Sequence, residues 1–572
     1  MRLIFIALIA MLGACSSSPL PNASDTLQQL MDQAWQYRLE RNPQLAQRFG
    51  DTQAASQLAD LSPATLAAQH QQDLALLRQA EAIAPEQLNP TERADLAILR
   101  YQLHNRIDGY RYGAHTMPIT AESGFHAYIA AIARGNTLDD PAAQQAYLRR
   151  LEALPRYFDQ QMYWMRQGLQ SGHTVPQAVL TGFEHSISAF ITEPEQSLYY
   201  APLAALDDAA AQQQGLQLIR QGVIPAYQRF YDFFVNEYRP GARSSIAAHA
   251  LPEGEAFYAN RVQHYTTLPM SAEQVHQLGL TEVARIRAEM EQVIQQQDFT
   301  GSFADFLTFL RTDPQFYAET PEQLLRYAAR LAKQADAMLP QFFATLPRTP
   351  YGIKPVPAEI APKYTTGRYA GPSDDDQPGY YWVNTYALDK RPLYEMEALT
   401  LHEAVPGHHL QIALSQEMAL HPLRRFSYIS AFGEGWGLYA EKLGLEGGFY
   451  TDPYSNFGRL TYEMWRACRL VVDTGMHAKG WSRQQAVDFL ADNTALSLHN
   501  VGTEIDRYIA WPGQALSYKI GELTLWRLRE QAETALGDRF DLRQFHDQLL
   551  LAGSVPLTEL ELRIQSWIAQ QG

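Results

Sequence analysis

Apolar residues recur at intervals of three and four along most of this 572-residue chain, and this spacing restricts its fold more than any other feature. The segments TLQQLMDQAWQYRLERNPQLAQRFG, from Thr26, and PAAQQAYLRRLEALPRYFDQQMYWMRQGLQSG, from Pro141, follow the pattern and break at proline or glycine. In SAEQVHQLGLTEVARIRAEMEQVIQQQ, Ser271 supplies an N-terminal cap and Glu273 an early acid. Such spacing places the apolar residues on one face of a helix. We therefore predict a mostly α-helical protein.

One stretch, at about residues 347–391, departs from this pattern. TPYGIKPVPAEIAP contains too much proline for a helix, and two β-prone runs, Tyr364–Tyr369 and Tyr380–Tyr386, flank a turn rich in Gly, Pro and Asp. These features predict a small antiparallel β-sheet, followed directly by a helix that begins near Pro392. Since no linker follows Ala23, we expect residues 24–572 to form one large helical domain with a deep cleft.

The N-terminus, MRLIFIALIAMLGACSSSPL, has an apolar run that is too short to span a bilayer. Leu12-Gly13-Ala14-Cys15 resembles a bacterial lipobox, which predicts a signal peptide over 1–14, a lipid on Cys15 and a tether over 15–23. Ser16 is typical of sorting to the outer membrane, so we expect a protein anchored in the cell envelope and facing the periplasm. Plain secretion is the alternative.

Acidic residues exceed basic ones by 62 to 46, which gives a formal charge of −16. This balance argues against nucleic acid or an anionic membrane surface as the main partner. We expect contact with a membrane only through the lipid anchor. An anionic substrate would need a local cluster of arginines.

The stretch EALTLHEAVPGHHLQIAL, from Glu397, nearly reproduces the zinc motif HExxH, in which two histidines lie one helical turn apart. Here Pro406 occupies the position of the second histidine. His402 and His408 would point apart on an ideal helix, because six residues rotate by roughly 600°. Pro406-Gly407 is suited to a deformation that absorbs two residues and brings both imidazoles to one zinc ion. His409 is the alternative ligand, and a kinked surface helix with incidental histidines is the alternative structure.

A third ligand is expected from SAFGEGWGLYAEKLG, where Glu434 and Glu441 lie on nearly the same helical face. We predict Glu434 as the ligand, because its flanking glycines allow another backbone to pack closely. Glu441 could instead accept a hydrogen bond from a ligand imidazole. Each could also be a solvated surface charge.

Polar residues in GRLTYEMWRACRLVVDTGMHAKGW, from Gly458, form a stripe at three- and four-residue steps. We expect Arg466 and Arg469 to bind a peptide carboxylate and His477 to donate to an oxyanion. A ladder of salt bridges on a solvated face is the alternative.

Further substrate contacts are expected from Arg507 and Gln514 in DRYIAWPGQALSYKIGEL and from His409 beside the metal motif. The strand YYWVNTY could pair with an extended substrate, which would make Asn384 a contact residue.

The motif His402-Glu403-x-x-Pro406-Gly407-His408-His409-x-Gln411, followed by Glu434-Gly435-Trp436, resembles the bacterial family of domains of unknown function number 885. The stretches GLTEVARI, DTGMHAKGW and PGQALSYKIG resemble it as well. This resemblance implies a helical fold related to gluzincin metallopeptidases of the neurolysin and thermostable-carboxypeptidase kind, in which two His and a downstream Glu bind zinc. By the same analogy Tyr518 donates to the tetrahedral intermediate.

These observations together predict a zinc-dependent hydrolase of short peptides, with Zn²⁺ held by His402, His408 and Glu434 and with Glu403 as general base. A metal-dependent amidase or esterase acting on another substrate would use the same site. A binding lipoprotein without catalysis is the third reading.

Overall fold

The structure is a computed structural model that describes residues 22–134, 138–358, 360–372 and 377–571, with backbone only at Lys363. The predicted signal peptide and the predicted lipidation site, Cys15, lie outside these residues. The first helix begins at Ala23, capped by the side chain of Asn22. The described chain therefore enters its first helix at the end of the predicted tether.

Helix ends follow the signals in the sequence. Ser271 caps its helix by accepting a hydrogen bond from the N–H of Gln274, and Glu273 lies in the first turn. The helix that begins at Pro141 runs through Pro155 and ends at Ser171, and it is capped by Gly172, whose φ of 84° is left-handed. The prediction of a mostly α-helical protein is confirmed.

Fifteen α-helices precede the sheet within the described residues, and short 3₁₀ or π-helical turns lie between several of them. They are α1 Ala23–Arg41, α2 Pro43–Arg48, α3 Pro63–Glu81, α4 Pro90–Arg111, α5 Phe125–Tyr128, α6 Pro141–Ser171, α7 Glu184–Ser188, α8 Ala201–Ala204, α9 Ala209–Leu218, α10 Ile224–Phe233, α11 Arg239–Gly241, α12 Gly254–Thr266, α13 Ala272–Gln295, α14 Phe303–Thr312 and α15 Pro321–Phe342.

Three strands and ten further helices follow in the described part of the chain. They are β1 Tyr351–Pro355, β2 Gly367–Ala370, β3 Gly379–Val383, α16 Met396–Glu403, α17 His408–Glu417, α18 Pro422–Arg425, α19 Ser430–Glu446, α20 Pro453–Ala478, α21 Arg483–Asn493, α22 Leu498–Ala510, α23 Ser517–Leu536, α24 Leu542–Leu550 and α25 Leu557–Gln571.

The sheet is mixed, in the order β1-β3-β2, so the prediction of a purely antiparallel sheet needs correction. β2 and β3 are antiparallel, as expected, but β1 pairs with β3 in parallel within the proline-rich stretch. The four residues Tyr351–Lys354 contain no proline, and β1 lies at an edge of the sheet, where a proline at the last position is tolerated.

Asn384 explains why both predicted β runs are longer than the strands. Its buried side-chain amide donates to the carbonyls of Ala361, Tyr364 and Thr365. These bonds hold the residues before β2 and after β3 in a loop. A single buried amide thus replaces ladder hydrogen bonds at this end of the sheet.

Two hydrophobic cores fill the molecule, and the chain passes between them repeatedly. The first core contains side chains of α6, α10, β3 and α20, and the second contains side chains of α1, α4, α19 and α23. Helix α16 contributes to both, with Leu399 in the first core and Leu401 in the second. The cores therefore do not correspond to two consecutive segments of sequence.

No helix among the described residues combines the length and the apolar character needed to cross a bilayer.

Candidate metal centre

The helix that begins the metal motif is broken, as the spacing of its histidines requires. α16 ends at Glu403, and Ala404 leaves helical geometry with a ψ of −114°. α17 begins at His408, whose neighbour His409 donates its N–H to the carbonyl of Ala404 at 3.0 Å. The indole of Trp436 holds the connecting loop by donating to the carbonyl of Pro406 at 2.7 Å.

Gly407 allows this loop to fold back on α16. A Cβ atom at this position would lie 1.9 Å from the carbonyl oxygen of His402 and 2.4 Å from that of Leu401. Both of these contacts are with backbone atoms, which cannot rotate away. The close return of the chain therefore requires a residue without a side chain.

The break brings His402, His408 and Glu434 together, with one ligand atom of each residue within 4.8 Å of the others. Oε2 of Glu434 lies 3.6 Å from Nε2 of His402 and 3.4 Å from Nε2 of His408. Ligand atoms of a tetrahedral zinc ion, each bound at about 2.0–2.1 Å, stand about 3.3–3.4 Å apart. The spacing of these donors fits one shared cation.

Neighbouring groups fix the side chains of His402 and Glu434, whereas Nδ1 of His408 has no hydrogen-bond partner in the described structure. Nδ1 of His402 donates to Oε1 of Glu441 at 2.7 Å, and the hydroxyl of Tyr428 donates to Oε1 of Glu434 at 2.8 Å. Gly437 packs against His402 so closely that a Cβ atom there would lie 2.4 Å from Cε1 of the ring. Carboxylate–imidazole pairs of this kind orient metal ligands.

The electrostatics of this group match a site for a cation. Burial alone would lower the pKa of His402, but the carboxylates of Glu434 and Glu441 raise it to about 10. Burial would raise the pKa of Glu434, yet His402 and His408 hold it well below its usual range. The carboxylate of Glu434 is therefore ionised at neutral pH.

Glu403 lines the same cavity as the three donors but is not one of them. Its Oε2 accepts a hydrogen bond from the backbone N–H of Tyr369 in β2 at 2.7 Å, and its side chain lines the cavity described below. β2 is an edge strand, so one side of it faces away from β3. Glu403 is thus held by the strand while it borders open space.

A cavity of about 490 Å³, here called the metal chamber, is bordered by the three donors and by Glu403. It takes side chains from elements of both hydrophobic cores, including Leu399 in the first core and Tyr101 beside the second. Nine residues expected from the sequence line it: His402, Glu403, His408, Glu434, Arg466, Arg469, Arg507, Gln514 and Tyr518.

The three arginines of the metal chamber that the sequence predicted come from α20 and α22. The guanidinium of Arg469 lies 3.0 Å from Glu504 and 4.1 Å from the ring centroid of Tyr518. Arg507 donates to Gln514 at 2.8 Å. One buried nitrogen of Arg466, Nε, and one of Arg469, Nη1, have no hydrogen-bond partner in the described structure. Since α20 is buried along most of its length, the alternative of a solvated ladder of salt bridges does not hold.

His477 does not reach the metal chamber, contrary to its predicted catalytic role. Its Nδ1 accepts the N–H of Ala248, and its Nε2 bonds to the carbonyl of Tyr508. The side chain is fully buried, and burial lowers its pKa to about 3. With both ring nitrogens bound to backbone groups, His477 connects three elements and has no free donor for a substrate.

Asn384 also does not line the metal chamber, and its amide is engaged in holding the loop before β2. The suggestion that a substrate adds to the strand YYWVNTY needs correction for a second reason. β3 is the central strand and pairs with β1 and β2 on its two sides. The edge strand beside the chamber is β2, and Thr365–Tyr369 line the cavity.

His409 points away from the three donors. Its Nδ1 pairs with the hydroxyl of Tyr369 at 2.9 Å, and its ring lies 4.5 Å from that of Tyr351. Burial lowers its pKa to about 4, so the imidazole is neutral at pH 7. The structure thus separates the two candidates for the second ligand and places His408 with His402. His409 does not line the metal chamber, so it is not a substrate contact there.

Sequence analysis missed Tyr428, Arg368 and Glu504, all of which line the metal chamber. Tyr428 lies in the loop before α19, and Gly433 leaves room for its ring, since a Cβ there would lie 2.5 Å from it. That glycine, one residue before the predicted ligand, was the only available signal for it. Arg368 alternates with buried residues in β2, a pattern that marks one face of a strand but not a cavity.

The sequence matches the family described as "Bacterial protein of unknown function (DUF885)" over residues 43–564. No functionally curated protein matches it. The fold is similar to the crystal structure of a "putative lipoprotein" from Colwellia psychrerythraea, with a TM-score of 0.89 and 29% identity over 96% of this chain and 100% of that one. A "putative lipoprotein of unknown function" from Shewanella oneidensis shares the fold, with a TM-score of 0.69 and 17% identity over 96% and 100% of the two chains. Because the family match spans almost the whole sequence, this chain belongs to the bacterial family DUF885.

Proposed function

We propose that the protein is a zinc-dependent hydrolase that cleaves peptide bonds of short peptides. The observation that carries the proposal is the convergence of His402, His408 and Glu434 in one cavity that Glu403 also borders. A structural zinc site has four protein ligands and needs no base, whereas a catalytic site has three and leaves a position open. The set of two histidines and one glutamate follows the catalytic pattern.

A zinc ion bound by these three residues would supply a Lewis acid and acidify a water molecule. Glu403 would serve as the general base toward that water and would pass the proton to the leaving amine. The N–H of Tyr369 occupies Oε2 of Glu403, which leaves Oε1 for the proton transfer. The phenol group of Tyr518 borders the same cavity and is the candidate donor to the developing oxyanion, since the hydroxyl of Tyr428 already donates to Glu434.

The substrate is a short peptide because the metal chamber has the size of a pocket for a small ligand. Arg466 and Arg469 each keep one unpaired nitrogen, and charged donors of this kind bind carboxylates. We assign them to the C-terminal carboxylate of the substrate, together with Arg507. The outer edge of β2 offers backbone groups to the peptide chain.

The proposal includes a relationship with gluzincin peptidases of the neurolysin and thermostable-carboxypeptidase type, which rests on the two histidines and the downstream Glu434. It also includes an anchor in the outer membrane through a lipid on Cys15, facing the periplasm. The lipobox-like Leu12-Gly13-Ala14-Cys15 supports this anchor, and so do two structural relatives described as lipoproteins. Metabolic labelling with an alkyne fatty acid should mark the wild-type protein and leave Cys15→Ala unlabelled.

A mass-spectrometric scan over a mixed peptide library tests the activity. The zinc-loaded wild type should release fragments, and Glu403→Gln should lose this activity while it binds zinc equally well. Glu322→Gln, an exposed substitution on α15, is the matched control and should keep full activity. Turnover of amide or ester reporters alone would indicate the amidase or esterase function instead. Peptide binding without turnover in the wild type would indicate a binding protein.

A further inference from the structure

A second cavity of about 490 Å³ adjoins the metal chamber, and we call it the arginine chamber. Tyr101, His264 and Tyr428 border both cavities. Tyr101 and His264 stack with ring centroids 4.7 Å apart, while Tyr428 bonds to the predicted metal ligand Glu434. The two cavities therefore meet at an aromatic boundary beside the metal site.

Three arginines line this second cavity: Arg38, Arg41 and Arg106. Arg41 and Arg106 share the buried carboxylate of Asp73, at 2.8 and 2.9 Å. Arg38 donates to the backbone carbonyl of Phe426 at 3.3 Å and packs over the ring of Trp35. No carboxylate is among the lining residues in the described structure, and Asp73 is the one described acid that bonds to any of these guanidinium groups, namely those of Arg41 and Arg106.

This local excess of positive charge contrasts with the formal charge of −16 for the whole chain. Charge of one sign in a cavity with low-dielectric walls concentrates ligands of the opposite sign. The remaining lining is suited to a peptide, because Asn42, Gln102 and Asn105 present amides beside the rings of Tyr37 and Phe426. A chamber built only for apolar side chains would not carry three guanidinium groups.

We propose that the arginine chamber binds an acidic side chain of a peptide whose scissile bond lies at the metal site. This inference rests on the proposed function and names its substrate class, which is short peptides with Asp or Glu at a fixed distance from the cleaved bond. Arg38 provides the main contact, since its guanidinium has no carboxylate partner among the described residues. Arg41 and Arg106, neutralised in part by Asp73, surround the same position.

A positional scan with matched peptides tests the inference. Fluorescent hexapeptides carry Glu or Gln at each position in turn, and their binding to zinc-loaded Glu403→Gln is measured by anisotropy. At one position Glu should bind about tenfold tighter than Gln, as expected for one charge-assisted hydrogen bond in a partly exposed site. Arg38→Gln should reduce this preference to twofold or less, and Arg38→Lys should keep most of it. Arg326→Gln, at an exposed arginine that lines neither chamber, is the control and should change nothing.

The outcomes separate this inference from the proposed function. Equal binding of Glu and Gln peptides at every position, or a preference that survives Arg38→Gln, would overturn the assignment of the chamber even if the wild type cleaves peptides. A preference that depends on Arg38 in a wild type without turnover would support the chamber and refute the hydrolase. A phosphoserine peptide that binds far more tightly than its Glu counterpart would overturn the choice of a carboxylate.

Discussion

Replacing Gly437 by alanine should weaken zinc binding, because the new methyl group would occupy the space of the His402 ring. The added Cβ would lie 2.4 Å from Cε1 and 2.7 Å from both ring nitrogens. Ordinary contacts need about 3.5 Å, so the imidazole must move by roughly 1 Å. The bond to Glu441 at 2.7 Å opposes this movement. Metal–ligand distances tolerate only about 0.2 Å, so His402 would be lost as a ligand.

The cost of this loss follows from the energetics of zinc sites. Four-ligand sites bind zinc with about 10–16 kcal/mol, so one ligand accounts for about 3 kcal/mol and about 100-fold in affinity. Competition with a chromogenic chelator measures this affinity, and circular dichroism verifies that the variant is folded. Gly502→Ala, inside α22 with its nearest contact at 3.7 Å, is the matched control and should bind zinc normally.

A double-mutant cycle shows whether the methyl group of Gly437→Ala acts through the His402 ring or through a general distortion of the protein. In the His402→Ala background the methyl group meets no ring, so Gly437→Ala should then cause no further loss of affinity. A folded Gly437→Ala protein that binds zinc as tightly as the wild type would refute the assignment of His402 as a ligand. A further loss in the His402→Ala background would show that the methyl group acts through general distortion.

Three other perturbations have defined outcomes. His408→Ala should lower zinc affinity by about 100-fold, whereas His409→Ala should leave it nearly unchanged, and equal losses in the chelator assay would contradict the ligand set. Asn384→Ala leaves three carbonyls without their donor and should lower the free energy of unfolding by about 2–4 kcal/mol. It should not change the KM of any peptide that is cleaved. A raised KM would restore Asn384 as a substrate contact. Burial raises the pKa of Glu397 to about 7. Between about pH 4.5 and 7 the folded state therefore holds a proton that the unfolded state has lost, and the stability of the fold should decrease as the pH rises through this range. Glu397→Gln should therefore be more stable than the wild type at pH 8, by up to about 3 kcal/mol, and equally stable at pH 4; urea titrations that show the same pH slope in both proteins would contradict this assignment.

The sequence predicted those parts of the molecule that depend on local spacing. Helical periodicity indicated the fold class, and the mismatch between six residues and a helical turn required the break between His402 and His408. Gly435 was expected to allow close packing, and a Cβ there would indeed lie 2.5 Å from Cα of Gly521 in α23. Such inferences need only the geometry of one helix and its neighbour.

Contacts between distant segments were not predictable from the same patterns. His477 and Arg469 lie on one helix at regular spacing, yet one bonds to the backbone of Ala248 and the other lines the metal chamber. The position of α12 and of the loop before it, which are remote in sequence, decides between these two environments. The sequence did not predict β1 because proline lowers strand propensity. This short strand forms because β3 has an unpaired edge in the assembled sheet, and that edge cannot be inferred from local sequence.

Helix α16 places Leu399 and Leu401 in different cores only three and one residues before His402. A cation held by His402, His408 and Glu434 would clamp α16, α17 and α19 to one another at this junction. Zinc binding would therefore raise the melting temperature of the whole molecule and would not stabilise the site alone. Removal of a bound ion with a chelator should lower the melting temperature and loosen both hydrophobic cores together, so that the supply of metal would set the lifetime of the folded protein.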